Sequence, residues 1–369
     1  MVIMALDHVR DFFSYYRFDT LDLTQTHALL FMTRWITHFC APVFVFLAGT
    51  GAFLSGSRGK TKPELAKFLL TRGLWLIFLE FTVIRFGWLF NVDYSLSFGQ
   101  VIWAIGSSMI ALAGLIFLST RTITIIGVAM IALHNSLDNI TGAQMGLFGW
   151  PWQIIHEGGV IIYAPNHFYV ALYPLVPWIG VMAAGYGFGS LMVKDESARR
   201  KILVRLGIGM IAAFVLIRAS NLYGDHIQWT VRNNFLFTVF SFIKCEKYPP
   251  SLLYLLMTLG PAIAILPFAE RIKGRVGSFF ITFGRVPMFY YVLHIYLIHA
   301  LAIAVAYVTV HDVHFLFTNA PPGSWPNSFG FRLVIVYLVW LAIVVSLYPA
   351  CRWFADVKRR RKDVWLSYL

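Results

Sequence analysis

The chain reads as all-α, a polytopic membrane helix bundle of about ten transmembrane helices of ~20 residues each. Three observations carry that reading. Hydrophobic residues fill 59% of its 369 positions and charged residues only 13%, and mean hydropathy is +0.70, whereas soluble domains are roughly a quarter charged. Apolar stretches long enough to cross a bilayer recur from end to end. Basic residues crowd alternate connections, as the positive-inside rule requires.

The first apolar run ends at Asp7-His8-Val9-Arg10-Asp11. Met1 to Leu6 supply about 9 Å of helix at 1.5 Å per residue, against ~30 Å of hydrocarbon. The expectation is a truncated first helix, with residue 1 inside it, or a chain that begins outside. Further spans are read at 37–57, 68–90, 100–118, 121–136, 168–192, 202–219, 250–269, 286–310 and 331–351. The fourth of these is short and holds Thr122 and Thr124. The stretch 277–310 is too long for one straight span. Pro287 disfavours helix at the preceding residue, so Gly284-Arg285-Val286-Pro287 marks a break. Long outer loops are expected at 13–36, 137–167, 220–249 and 311–330. Trp150 and Trp152 in the second read as an interfacial aromatic belt, or as a sugar-stacking platform. Gly185-x-Gly187-x-Gly189 lies inside a span with no strand before it, so it reads as close helix packing and not as a dinucleotide fingerprint. No linker, low-complexity segment or repeat divides the chain, so one domain over 1–369 is expected.

The net charge of +13 comes from 30 Lys/Arg against 17 Asp/Glu. Arg58, Lys60, Lys62, Lys67 and Arg72 form one cluster, and Lys194, Arg199, Arg200, Lys201 and Arg205 another. Arg271, Lys273 and Arg275 follow, then the tail Lys358-Arg359-Arg360-Arg361-Lys362. The positive-inside rule makes these cytoplasmic, and both termini with them. The tail is then a topology signal at anionic headgroups, and no nucleic-acid partner is expected. Histidines show the opposite bias. His27, His156, His167, His226, His311 and His314 fall in outer loops, His8, His38 and His134 at outer helix ends, and His294 and His299 within one span. Groups that exchange protons near neutral pH thus concentrate on the extracytoplasmic side. Cys40, Cys245 and Cys351 form no disulfide framework, and no cleavable signal peptide is visible. No metal and no permanently bound cofactor is expected.

Ionisable groups at membrane depth cost roughly 2.5–3.5 kcal/mol each on insertion scales and mark sites. Asp7 to Asp11 bring acid, base and cation together where a helix leaves the bilayer. Glu80 lies near mid-span and Arg85 nearer the outer face. Arg72 and Arg285 stand at the inner mouth as candidate phosphate ligands, since Arg meets phosphate in bidentate fashion. His294 lies about 10–11 Å beyond Pro287 if helical. These residues outline a path suited to acyl transfer across a membrane: a phosphorylated donor at Arg285 and Arg72, His294 and Glu80 midway, and His8 as general base outside. Asp7 or Asp11 would orient the imidazole. Asp11, three residues from His8, shares its helical face and is the preferred partner. His27 is the rival base. A proton-coupled transporter or flippase using the same buried ions is the alternative function.

Several segments resemble the bacterial relatives of heparan-α-glucosaminide N-acetyltransferase. These are Met4-Ala5-Leu6-Asp7-His8-Val9-Arg10-Asp11-Phe12-Phe13, Ala41-Pro42-Val43-Phe44-Val45-Phe46-Leu47-Ala48-Gly49 and Arg72-Gly73-Leu74-Trp75. Pro249-Pro250-Ser251-Leu252-Leu253 and Gly284-Arg285-Val286-Pro287-Met288-Phe289-Tyr290-Tyr291-Val292-Leu293-His294 extend the match over nearly the whole chain. The resemblance implies acetyl-CoA or another acyl-CoA as donor, reached from the cytoplasm, and an extracytoplasmic glycan or amino sugar as acceptor. It also implies a bacterial cytoplasmic membrane location, and leaves a homodimer open. His8 falls where polysaccharide acyltransferases place a histidine and the eukaryotic enzyme has Asn. The active histidine of the eukaryotic enzyme lies in the following outer loop, close to His27. The family's opening Asp-x-x-Arg-Gly motif is absent here, which fits a truncated first helix.

Overall fold

A computed structural model describes every residue except Pro321, Lys362, Val364, Trp365 and 367–369. Lys362 of the basic tail and the C-terminal Leu369 therefore lie outside the described residues. The chain is 71% helical. In order it forms α1 (Val2–Phe13), α2 (Ala28–Thr37), α3 (Cys40–Ser57) and α4 (Lys62–Leu79), then a π-helical turn (Glu80–Ile84) and α5 (Arg85–Leu89). Next come β1 (Leu96–Gly99), α6 (Val101–Leu115), α7 (Thr120–Leu133), α8 (Gly149–Trp152), β2 (Gly159–Ala164) and β3 (His167–Ala171). The remainder is α9 (Leu175–Met192), α10 (Glu196–Ser220), α11 (Phe235–Ile243), α12 (Leu252–Ala269), α13 (Gly274–Arg285), α14 (Pro287–Thr309) and α15 (Leu333–Arg360).

Among the described residues six helical segments are long and apolar enough to cross a membrane, or seven if Thr120–Leu137 and Gly142–Glu157, bent by 113°, form one broken span. The count of ten is not reached, for local reasons. α6 is only 15 residues long, about 22 Å at 1.5 Å per residue. The 68–90 stretch is interrupted by the π turn and carries Glu80 and Arg85. Residues 168–171 of the expected 168–192 span are strand β3 instead. Three expected loops also hold α-helices: most of α2 lies within 13–36, α8 within 137–167 and α11 within 220–249.

The chain groups into two compact units, each assembled from separated stretches, which is why no linker marks them in the sequence. The first takes Met1–Cys40, Phe81–Ser95 and Arg271–Leu369; the second takes Ala41–Glu80 and Leu96–Glu270.

In the first unit α1 packs against α14, α15 and α2. Its face Met4, Ala5, Val9, Phe12 and Phe13 is buried, and that apolar pattern carries the helix through the Asp7–Asp11 cluster and on to Phe13. The cluster runs into the last turn of α1, which closes at Ser14. Trp340 Nε1 donates to Val2 O at 2.8 Å, and the Thr33 and Tyr337 hydroxyls lie 2.8 Å apart, tying α15 to α1 and α2. The break before α14 falls at Val286 (φ −130°, ψ 52°), with Pro287 opening the helix, because the proline ring preorganises the first helical position. Arg85 is fully buried and donates to Asn91 O, Asn91 Oδ1 and Asp93 O while lying over the Tyr94 ring.

In the second unit, capping fixes the helix starts. Thr61 and Glu64 form a capping box before α4, Asp195 caps α10 and Ser251 caps α12, each side chain satisfying backbone donors that the first turn leaves orphaned. The glycines of α9 act as the packing reading requires. A Cβ at Gly185 would collide with Phe46 O, one at Gly187 with Thr124 Oγ1, and one at Gly189 with Phe53. Thr50 Oγ1 donates to Gly185 O at 3.0 Å across the α3–α9 contact. Beside this helical core lies a three-stranded sheet in the order β1-β3-β2, with β1 parallel and β2 antiparallel to β3. Arg218, fully buried near the end of α10, donates to the carbonyls of Ile227, Ser241, Phe242 and Lys244.

Candidate active site

The first unit brings His8 of α1 onto His294 of α14. Nδ1 of His8 lies 2.7 Å from Nε2 of His294, and the rings stack with centroids 4.9 Å apart and planes 17° from parallel. His294 is fully buried. Its other nitrogen, Nδ1, lies 2.9 Å from Tyr290 O, one helical turn back. A carbonyl can only accept, so His294 Nδ1 carries a hydrogen. In the neutral ring Nε2 of His294 is then an acceptor, and His8 must donate to it from Nδ1. The remaining lone pair of His8 falls on Nε2. The Tyr290 carbonyl and His294 thus set the tautomer of His8.

The surroundings are aromatic. Trp88 of α5 and Tyr291 meet the His8 ring edge-on at 5.0 and 5.9 Å, and Tyr290 stacks on His294 at 5.0 Å and 3°. Trp88 also stacks on Phe12. Nε1 of Trp88 and the Tyr290 hydroxyl are buried with no hydrogen-bond partner among the described residues.

The carboxylates of the cluster hold arginines. Asp7 accepts from Arg10 at 2.9 Å and from Arg34 of α2 at 2.5 Å, and Asp11 accepts from Arg10 at 2.6 Å. His294 thus holds Nδ1 of His8, a contact that spacing along α1 did not indicate, while Asp7 and Asp11 bind arginines.

His27 is the N-cap of α2. Its Nδ1 accepts from Leu30 N at 3.4 Å, and its Nε2 lies 2.7 Å from the Tyr16 hydroxyl. Burial first, and then the neighbouring Tyr15, push Tyr16 up to about 12, so its phenol stays neutral. Both ring nitrogens of His27 are therefore engaged in holding the loop. His299, deeper in α14, points its two nitrogens at Gly87 O (3.0 Å) and Leu316 O (2.9 Å) and stacks on Phe90. It staples three segments together.

Arg285 is exposed at the end of α13, where Lys358 Nζ reaches its carbonyl at 3.4 Å. This corner of the first unit is doubly basic. In the second unit Arg72 is half-buried and lies over Phe68. Glu80 is fully buried, with Oε1 accepting from Gln100 N at 3.0 Å and Oε2 from Trp103 N at 3.2 Å. Glu80 thus caps the start of α6. Both oxygens are occupied by backbone N–H groups that would otherwise be orphaned. Sequence reasoning missed Trp88, Tyr290, Tyr291 and Arg34. Tyr290 and Tyr291 were detectable, since they stand four and three residues before His294 on its own helical face. Trp88 and Arg34 carried no such signal.

Fold and site together define a multi-pass helical membrane protein with a paired-imidazole centre. The family model described as heparan-alpha-glucosaminide N-acetyltransferase, catalytic, matches residues 1–223, and the chain belongs to that family of transmembrane acetyltransferases. The matched stretch holds Asp7, His8, Asp11, His27, Arg72 and Glu80 and ends before Arg285 and His294. No curated protein matches the chain.

Proposed function

We propose that the protein moves an acyl group, acetyl in the first instance, from cytoplasmic acyl-CoA to a hydroxyl or amine of an extracytoplasmic glycan or amino sugar in a bacterial cytoplasmic membrane. The observation that carries this is the 2.7 Å contact of His8 with His294, combined with the Tyr290 carbonyl that sets both tautomers. His8 Nε2 takes the proton of the acceptor's O–H or N–H as that atom attacks the thioester carbonyl. The C–S bond breaks, and the proton passes from His8 to the departing thiolate. His294 is a positioning residue: it holds the ring, and its Nε2 accepts from the imidazolium that forms, the part a carboxylate plays in other acyl-transfer sites. Trp88 Nε1 and the Tyr290 hydroxyl are the donors closest at hand for acyl or sugar oxygens. The alternative reading, a proton-coupled transporter or flippase using the same buried ionisable residues, predicts no acyl transfer by the purified protein.

Donor binding is assigned to Arg285, beside Lys358. A charge-assisted hydrogen bond contributes about 1.5–3 kcal/mol, so Arg285→Ala is expected to weaken acyl-CoA binding by about ten-fold or more with the fold intact. Equilibrium binding of a non-hydrolysable acyl-CoA analogue to the purified variant checks this, and unchanged affinity would remove Arg285 from the donor site.

Both termini are assigned to the cytoplasm, along with the basic segments 58–67 and 194–201, on the positive-inside rule. A reporter joined after residue 369 and active only outside the cytoplasm should stay silent. Activity there would invert the arrangement.

A further inference from the structure

At the start of α10, Arg200, Lys201 and Arg205 line an open groove of about 710 Å³ with Glu196, Val204 and, from the end of α12, Phe268. Three cations face one carboxylate. The two helix ends are held together here by Arg199 on Glu270 at 3.1 Å and by the Arg200 guanidinium 5.6 Å over the Phe268 ring. The groove is thus built from tied walls, not from loose side chains.

Its apolar floor does not stop at the groove. Ile208 follows Val204 by four residues and Ile265 precedes Phe268 by three, so each continues the same helical face. Phe268, Ile208 and Ile265 are 50%, 56% and 59% exposed, and only 22% of the most apolar part of Glu196–Ser220 is buried. A cationic mouth therefore opens onto an uncovered hydrocarbon furrow between two membrane-spanning helices. A free phosphate would use only the mouth, and an uncharged lipid only the furrow. We infer that the groove binds an anionic phospholipid. Arg200, Lys201 and Arg205 hold its phosphate, with the arginine forks matched to phosphate oxygens, and one acyl chain lies along Val204–Ile208 and Phe268–Ile265.

Native mass spectrometry of the full chain, offered equimolar phosphatidylglycerol and phosphatidylcholine, tests this. Phosphatidylglycerol should be retained at least about five-fold over phosphatidylcholine, the equivalent of one engaged cation. R200Q/K201Q/R205Q should lose that preference, whereas R359Q/R360Q/R361Q, which removes equal charge elsewhere, should keep it. I208D should also weaken retention, although it leaves every cation in place. Equal loss in the tail variant would reduce the effect to net charge, and full retention by I208D would empty the furrow. Displacement of phosphatidylglycerol by coenzyme A would hand the groove to the donor's phosphates. Any of these three results overturns the assignment.

Discussion

Replacing His8 by alanine is expected to lower turnover by roughly 10²–10⁴-fold, the usual worth of a positioned general base, while acyl-CoA binding is retained. The measurement is acyl transfer by purified protein offered mixed cell-envelope glycans, with donor affinity determined in parallel. His294→Ala should lower turnover as well, and it should also alter the pH–rate profile, because the remaining imidazole loses the partner that sets its tautomer. His27→Ala should leave turnover within a few-fold of wild type while loosening the 14–27 segment, since His27 caps a helix. If His8→Ala stays near wild type and His27→Ala abolishes activity, the base is the loop histidine. Full activity in both variants would sink the mechanism.

Arg218→Met is expected to produce the largest loss of stability in the chain. The guanidinium donates to four carbonyls, at 2.9 Å to Phe242, 2.6 Å to Ile227, 3.1 Å to Ser241 and 2.7 Å to Lys244. Methionine matches much of the volume and none of the donors. An orphaned buried acceptor costs about 1–3 kcal/mol, so orphaning all four, about 4–12 kcal/mol, places the variant above the usual ~0.5–3 kcal/mol range of point substitutions. Thermal unfolding in detergent should show a much lower midpoint, and limited proteolysis should open 221–250 first. An unchanged midpoint with intact 221–250 would show that the four carbonyls find other donors.

How much of this was legible beforehand varies with the physics involved. The helices were readable because apolar runs and basic clusters are written locally. Pro287 marked the α13–α14 break for the same reason. The glycines of α9 were correctly read as a packing surface, since a membrane span leaves a glycine-rich motif few other uses. The small sheet was hidden. β1 and β3 pair across about seventy residues, and β3 is continuous with apolar sequence that resembles more of a span. His8 stood out as a candidate because an ionisable group in an apolar run is conspicuous. Its contact with His294 did not, because spacing along one helix says nothing of a residue brought from the other end of the chain. The capping role of Glu80 was hidden for the same reason, because the backbone N–H groups it accepts from lie twenty residues and more along the chain.

The separation of His8 from His294, 286 residues, has a bearing on biosynthesis. At about 5–20 residues per second, roughly 15–60 s pass between synthesis of the two. Throughout that interval α1 has no imidazole to fix the His8 tautomer, and α15, to which Trp340 ties it, does not yet exist. The nascent protein therefore carries His8 well before α14 exists to orient it. On the proposed mechanism acyl transfer waits for α14, and a ribosome stalled before Tyr290 leaves a membrane fragment whose His8 has no orienting imidazole.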